Sequence, residues 1–170
     1  DDSVFVFRPS TTKNFSSQSN EEAGIYINRS YMFEISPVDP AGTIRYVDIS
    51  DNGDHGIAIY RSTNGIIGSS LAAAAFRTDI DNNRREGIYL SNVNHSNIIN
   101  TEIYNNSQIG FYVAQSTNNT LTHNAIYNNT WQGLYLDSSD NNSIIRNSVY
   151  GNLQEGVRLD SSDYNNLTNC

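Results

Sequence analysis

Residues 87–155 read GIYLSNVNHSNIINTEIYNNSQI, GFYVAQSTNNTLTHNAIYNNTWQ and GLYLDSSDNNSIIRNSVYGNLQE, three copies of a 23-residue unit joined without a gap; a fourth opens at Gly156-Val157-Arg158-Leu159. Self-similarity at this period marks a solenoid, in which each unit is one turn and buries its apolar face only by stacking on its neighbours. Counting each glycine as position 0, position 1 holds Ile88, Phe111, Leu134 and Val157, and position 3 holds Leu90, Val113, Leu136 and Leu159. This alternation has period two and predicts a strand. Position 11 (Ile98, Leu121, Ile144, Leu167) and position 16 (Ile103, Ile126, Val149) lie in short β-prone runs bounded by Asn and Ser. No segment carries a helical i, i+3, i+4 stripe. Three short strands per unit, separated by polar corners, describe one coil of a parallel β-helix.

The asparagines fall into columns on the same count. Position 9 is Ser96, Asn119, Asn142 and Asn165; position 14 is Thr101, Asn124, Asn147 and Cys170; position 19 is Asn106, Asn129 and Asn152. Stacked Asn side chains donate and accept between coils about 4.8 Å apart. Asn also tolerates the left-handed backbone that sharp corners need.

Two earlier units begin at Gly24-Ile25-Tyr26-Ile27 and Gly56-Ile57-Ala58-Ile59, and run 32 and 31 residues to the next glycine in place of 23. Both reach position 11 on time, at Ile35 and Ile67, and both regain register before the next glycine, at Ile49 and Ile80. The extra residues therefore leave one side of two adjacent coils, as loop insertions near 36–48 and 68–79. The first carries Pro37 and Pro40; the second, Gly68–Phe76, reads as a short helical turn through its Ala run. Residues 1–23 open with a strand-like Val4-Phe5-Val6-Phe7 and turn polar, the expectation being an irregular first coil or a cap. Residues 24–170 form the β-helix proper. It breaks off in mid-unit at Cys170, so the apolar rung of Val157, Leu159 and Leu167 is expected to be covered by further coils or another subunit.

With 18 acidic and 10 basic side chains, one of them lysine, the net charge is −8, which argues against nucleic acid as a partner and against an anionic membrane surface. There is no transmembrane run and no signal-peptide pattern, so Asp1 is expected to follow a processing site or a fragment boundary. Asn-x-Ser/Thr sequons at Asn14, Asn28, Asn94, Asn105, Asn118, Asn128, Asn141 and Asn166 suit an extracellular or cell-surface protein. The lone Cys170 rules out an internal disulfide framework.

Positions 15 and 17 flank an inward residue and so point outward. Corrected for the insertions, position 15 is Asp48, Asp79, Glu102, Ala125 and Ser148, and position 17 is Ser50, Asp81, Tyr104, Tyr127 and Tyr150. One exposed strip is thus expected to carry four carboxylates followed by three stacked tyrosines. Asp48, Asp79, Asp81 and Glu102 are the candidate catalytic residues. Tyr104, Tyr127 and Tyr150, with Arg45 and Arg77 just before the acidic column, are the candidate substrate-binding residues. Unit charges one rung apart repel by roughly 3.5 kcal/mol at an effective dielectric of 20. Such a cluster can pair with the arginines, bind a hard cation, or keep one raised pKa for acid/base work on a glycosidic bond. Tyrosine faces suit sugar rings, although a tyrosine ladder also stabilises a sheet by stacking alone. A second column, Tyr26, Tyr89, Tyr112 and Tyr135, reads as structural. Asp137 with Asp160, and Asp140 with Asp163, could hold a calcium ion weakly; no metal ligand or other cofactor is assigned. His55, His95 and His123 share no position and make no ligand set, and Arg84-Arg85-Glu86 reads as a solvated corner.

The units GIYLSNVNHSNIINTEIYNN and GLYLDSSDNNSIIRNSVYGN resemble the right-handed parallel β-helix repeats of carbohydrate-binding and sugar-hydrolase proteins, over roughly residues 24–170. More narrowly, they are similar to the β-helix surface proteins of methanogenic archaea, disaggregatases among them. The fold so implied is all-β, a right-handed single-stranded parallel β-helix of about six coils. The function so implied is binding of an extracellular polysaccharide, alone or as part of a lyase or glycosidase acting on a cell-surface matrix. The alternative is a structural surface or assembly protein without catalytic activity. Gly53-Asp54-His55-Gly56 resembles a glycosidase motif of pectin-degrading members, but no Arg-x-Lys follows it, and no catalytic residue is carried over.

Overall fold

The computed structural model describes residues 4–7, 15–37, 46–69 and 77–170. Among them every regular element is a strand. β1 (Val4–Phe7) and β2 (Phe15–Gln18) precede the first complete coil, β3 (Ile25–Asn28), β4 (Met32–Ile35) and β5 (Tyr46–Ser50). The second coil is β6 (Ile57–Tyr60), β7 (Ile66–Gly68) and β8 (Arg77–Asp81); the third is β9 (Ile88–Ser91), β10 (Asn97–Ile99) and β11 (Thr101–Tyr104). The fourth is β12 (Phe111–Ala114), β13 (Thr120–Thr122) and β14 (Ala125–Tyr127), and the fifth is β15 (Leu134–Asp137), β16 (Ser143–Ile145) and β17 (Ser148–Tyr150). β18 (Val157–Asp160) and β19 (Asn166–Thr168) follow. Each third strand pairs with its counterpart one coil on, giving three parallel sheets, one of seven strands (β1-β4-β7-β10-β13-β16-β19) and two of six. The fold is the expected right-handed parallel β-helix.

The inward residues are those of the sequence columns. Ile88, Leu90, Ile98 and Ile103 of one coil are fully buried, as are Phe111, Val113, Ile126 and Leu134 further along. Between strands the backbone turns on single left-handed residues, and these differ from the ladder asparagines. In the third coil they are Asn92, His95, Asn100 and Asn105, with φ of 52–56°. Each stands just before a buried residue of the next column. The left-handed residue supplies the bend, and its successor then points inward, where its polar atoms meet the coil above. Gly151 (φ 65°) occupies the slot of Asn105 and Asn128.

The longest polar column runs from Asn20 through Asn52, Asn83, Asn106 and Asn129 to Asn152. Each Nδ2 donates to the next Oδ1 at 2.8–3.0 Å. Asn106 shows the full set: Nδ2 also reaches the Ile80 carbonyl at 3.2 Å, and Oδ1 accepts from the Asn83 backbone N–H at 3.1 Å. The leading glycines sit where coils approach most closely. A Cβ on Gly87 would stand 2.5 Å from Ile103 Cγ2 and 2.7 Å from Asn106 Nδ2.

The ladder reaches back to Asn20, and β2 pairs with β5 through Ser17 opposite Ile49. Residues 15–18, read from sequence as loop, are therefore strand, and the N-terminal segment continues the sheets. The insertions fall between β4 and β5 and between β7 and β8, with Ile35 opposite Ile67 and Ile49 opposite Ile80, so register is kept across both. The helical turn expected within Gly68–Phe76, and Pro40 of the first insertion, lie outside the described residues, apart from Gly68 in β7 and Ser69. In β18 and β19 the inward residues are less enclosed than elsewhere: Leu159 is 37% exposed and Leu167 42%.

Replacing Asn106 by Ala strands the Asn83 N–H in the interior and removes the side-chain donor to the Ile80 carbonyl and to Asn129 Oδ1, which keeps the Asn106 backbone N–H. At ~1–3 kcal/mol for a buried orphan and about 1 kcal/mol for each further hydrogen bond lost, urea denaturation is expected to show a loss of about 2 kcal/mol or more. Ser107→Ala, exposed one residue later, is expected to change stability by less than about 0.5 kcal/mol.

Candidate functional site

The acidic and aromatic columns form in the register read from the sequence. On the sheet containing β5, β8, β11, β14 and β17, Asp48 lies opposite Asp79, Asp79 opposite Glu102 and Glu102 opposite Ala125. Ser50, Asp81, Tyr104, Tyr127 and Tyr150 follow one another two residues on. Arg77 opens β8; its side chain and the whole of Arg45 lie outside the described residues.

The strip is not uniformly exposed. Asp79 is 1% exposed and Asp81 7%, whereas Asp48 and Glu102 are half-buried. Outward orientation on a sheet does not by itself give exposure. Asp81 is overlaid by its own corner and the next rung: Asn82 Nδ2 donates to it at 2.7 Å and Tyr104 gives it a further hydrogen bond. Asp79 is hemmed between Asp48 and Glu102 and engages neighbouring groups, as does Glu102. Asp48 accepts a hydrogen bond from Gln18 Nε2. Burial, and then the Asp48 carboxylate, push the Asp81 carboxyl up to about 6; Asp79 and Asp51 add to this and the Tyr104 hydrogen bond opposes it. A carboxyl half-protonated near pH 6 thus sits among three others.

Tyr104, Tyr127 and Tyr150 stack at 5.0 Å between centroids with planes 2° and 5° apart. Successive rings cover one another's faces, so the column offers its edges and hydroxyls sideways. Tyr127 donates to Glu102 Oε2 at 3.2 Å, tying the aromatic column to the acidic one.

The second tyrosine column runs along the sheet containing β3, β6, β9, β12 and β15. It is regular at Tyr112 and Tyr135 (5.0 Å, 2°) and splayed towards the other end. In β6 the column position is Ala58, and the ring that bridges Tyr26 and Tyr89 comes from Tyr60, two residues further along the strand, at 5.3 and 5.5 Å. At the adjoining corner His55 stacks on Tyr89 at 5.1 Å, and its Nδ1 lies 2.8 Å from Glu86 Oε2. Both side chains are 5% exposed. Burial alone would raise the Glu86 pKa, but the hydrogen bond with His55, a backbone hydrogen bond and the nearby positive charge prevail and lower it. Glu86 is therefore not part of a solvated corner, and His55 is not an idle histidine. Both immediately precede the glycine of adjacent units, a shared column position that the sequence contains.

The paired aspartates serve the aromatic column. Asp137 accepts from Tyr112 at 3.1 Å, and Asp160 from Tyr135 at 2.8 Å and from Arg158 at 2.7 Å. Asp140 accepts the backbone N–H of Asp163. Among the described residues no three His, Cys, Asp or Glu side chains are grouped to hold a metal ion, and no helix is long and apolar enough to cross a membrane.

A family profile described as right-handed beta helix region matches residues 68–170. No curated protein sequence matches the chain significantly. Among solved structures, the periplasmic alginate epimerase AlgG superposes with a TM-score of 0.73 at 16% identity, covering 96% of this chain and 38% of that one. The A-module of a mannuronan C-5 epimerase from Azotobacter vinelandii gives 0.64 at 15% identity, covering 97% and 54%. At such identities the likeness is one of fold, and the chain spans about half or less of either structure's length.

Asp81 carries a pH signature. In the unfolded chain it ionises near 3.8, and in the folded chain near 6. Between these values the folded state binds more protons, so the stabilisation is complete below 3.8 and is lost as pH rises through about 6. Asp81→Asn stays neutral throughout. Urea midpoints measured from about pH 4 to about pH 7 are expected to show the variant gaining on the native chain as pH rises.

Proposed function

We propose that this chain, which belongs to the right-handed β-helix family, binds polysaccharide outside the cell, with the saccharide lying along the solenoid axis on the sheet of β5, β8, β11, β14 and β17. The observation that carries the reading is one column in which Asp48, Asp79 and Glu102 occupy successive rungs beside Asp81, Tyr104, Tyr127 and Tyr150. Coils recur about every 4.8 Å, so hydrogen-bonding groups repeat along this surface at a spacing that a linear polymer of sugar rings can follow. The edges of the stacked tyrosines bring hydroxyls to the surface along the column. Two proteins of the same fold are named as epimerases of alginate and of mannuronan, which supports a polysaccharide partner. Extracellular or cell-surface placement belongs to the same proposal and rests on the sequons.

A second reading, acid/base catalysis on the bound chain, is favoured by Asp81. A carboxyl whose pKa is raised to about 6, set beside other carboxyls, is a pairing from which a general acid and its base can be drawn. In it Asp81 is the acid, and Asp48, Asp79 or Glu102 supplies the base.

The triple substitution of Tyr104, Tyr127 and Tyr150 by Ala is expected to abolish binding to the matrix polysaccharide on a glycan array; unchanged binding refutes the site. Product analysis on the same array separates the two readings. Asp81→Asn is expected to stop any turnover by about 10²-fold or more while leaving binding intact, and an absence of products from the native chain leaves binding alone.

A further inference from the structure

We infer a second saccharide site, independent of the acidic strip, in the recess beside Ala58, and the geometry points to a ligand sugar that carries hydrogen-bond donors and no carboxylate. The recess arises where the repeat departs from its own pattern. Tyr26, Tyr89, Tyr112 and Tyr135 occupy one column position, and in β6 that position is Ala58. The ring at this rung arrives from Tyr60, further from the corner, which leaves a groove of about 480 Å³ between the rings and the corner at Gly53-Asp54-His55. That volume falls within the roughly 300–1,000 Å³ of small-molecule sites.

Two aromatic rings wall the groove, Tyr26 at 61% exposure and the half-buried Tyr60, tilted 38° to one another. The splay leaves ring surface open on the groove side, unlike the parallel stack of Tyr112 on Tyr135. An apolar ring face beside polar groups is the surface that a pyranose, with its C–H faces and its rim of hydroxyls, matches.

The polar groups of the groove are acceptors. Glu21, Glu22 and Asp54 line it, and Glu86 lies buried behind His55. His55, on the groove wall, has Nδ1 2.8 Å from the Glu86 carboxylate. Nε2 stands 3.7 Å from Asp54 Oδ1. That oxygen is buried and accepts no hydrogen bond among the described residues; Arg85 Nη1 is 3.4 Å away. The carboxylates lining the groove call for donors, and sugar hydroxyls or an ammonium group supply them. A uronate brings a further acceptor and a negative charge to four carboxylates offset by Arg85, which disfavours it. The inferred ligand thus differs in charge from alginate, on which the neighbouring fold acts.

Three oligosaccharide probes, of β-1,4-linked glucosamine, glucose and mannuronate, test this by NMR titration of the whole chain. Ala58→Tyr combined with Tyr60→Ser gives β6 the Tyr and Ser of the next rung, Tyr89 and Ser91, so the ladder is restored and the groove filled. Circular dichroism and the urea midpoint check that this variant folds. The expected result is binding of the glucosamine or the glucose oligomer, centred on Tyr26, His55 and Tyr60, and weakened at least about tenfold, or ~1.4 kcal/mol, in the filled variant. Binding is expected to survive in the Tyr104, Tyr127, Tyr150 triple-Ala chain, so that failure of the acidic strip and failure of this groove are told apart. Glucosamine binding without glucose binding assigns the donor as ammonium, and binding of both assigns it as hydroxyl. The inference is overturned if neither oligomer binds, if the folded filled variant binds as the native chain does, or if mannuronate binds best.

Discussion

Everything in this molecule depends on the amide ladder at its corners. An Asn side chain buried in a solenoid has one donor group and one acceptor, and the equivalent side chains and the backbone of the coils above and below meet both. The column from Asn20 to Asn152 satisfies that requirement rung by rung. A coil displaced by one residue would bury unpaired amides as well as turning its apolar residues outward. Hence the leading glycines, which let the coils close to hydrogen-bonding distance, and hence the confinement of length variation to one corner of two adjacent coils, away from the long ladder. Asn83 meets Asn106 after a 23-residue unit as Asn52 meets Asn83 after a 31-residue one.

The same repetition places like groups next to like, which is neutral for Ile and favourable for Tyr but costly for Asp. The chain resolves this cost differently on its two faces. Along the tyrosine column of β12 and β15, each carboxylate is given a hydroxyl from the preceding coil, as Asp137 is by Tyr112 and Asp160 by Tyr135. On the opposing sheet Asp48, Asp79 and Asp81 are brought together, and burial, with repulsion from Asp48 and Asp79 added to it, raises the Asp81 pKa to about 6.

The backbone was legible because its signal is additive: Ile98, Leu121 and Ile144 repeat in register, and each repetition strengthens the same inference. The register of Asp79 with Glu102, and of Tyr104 with Tyr127, followed from that count. What lay over them did not. Burial of Asp79 and Asp81 depends on the corner and on the rung beyond, which column position does not encode. Phe15–Gln18 escaped for the opposite reason, since a polar four-residue strand without a leading glycine has no period of its own to display. The contact of His55 with Glu86 joins unlike residues at one position in adjacent coils. A search for columns of identical residues passes over such complementarity, and so it passed over the groove that Ala58 opens.

The amide ladder also has a sense. Every Nδ2 in the long column points towards the following coil and every Oδ1 towards the preceding one, so the small dipoles add and the solenoid axis becomes a vector. A glycan is likewise a directed chain, with a reducing and a non-reducing end. Laid along this axis in its two senses, it forms two diastereomeric complexes of unequal energy. The protein would therefore favour one sense of a bound polymer over the other.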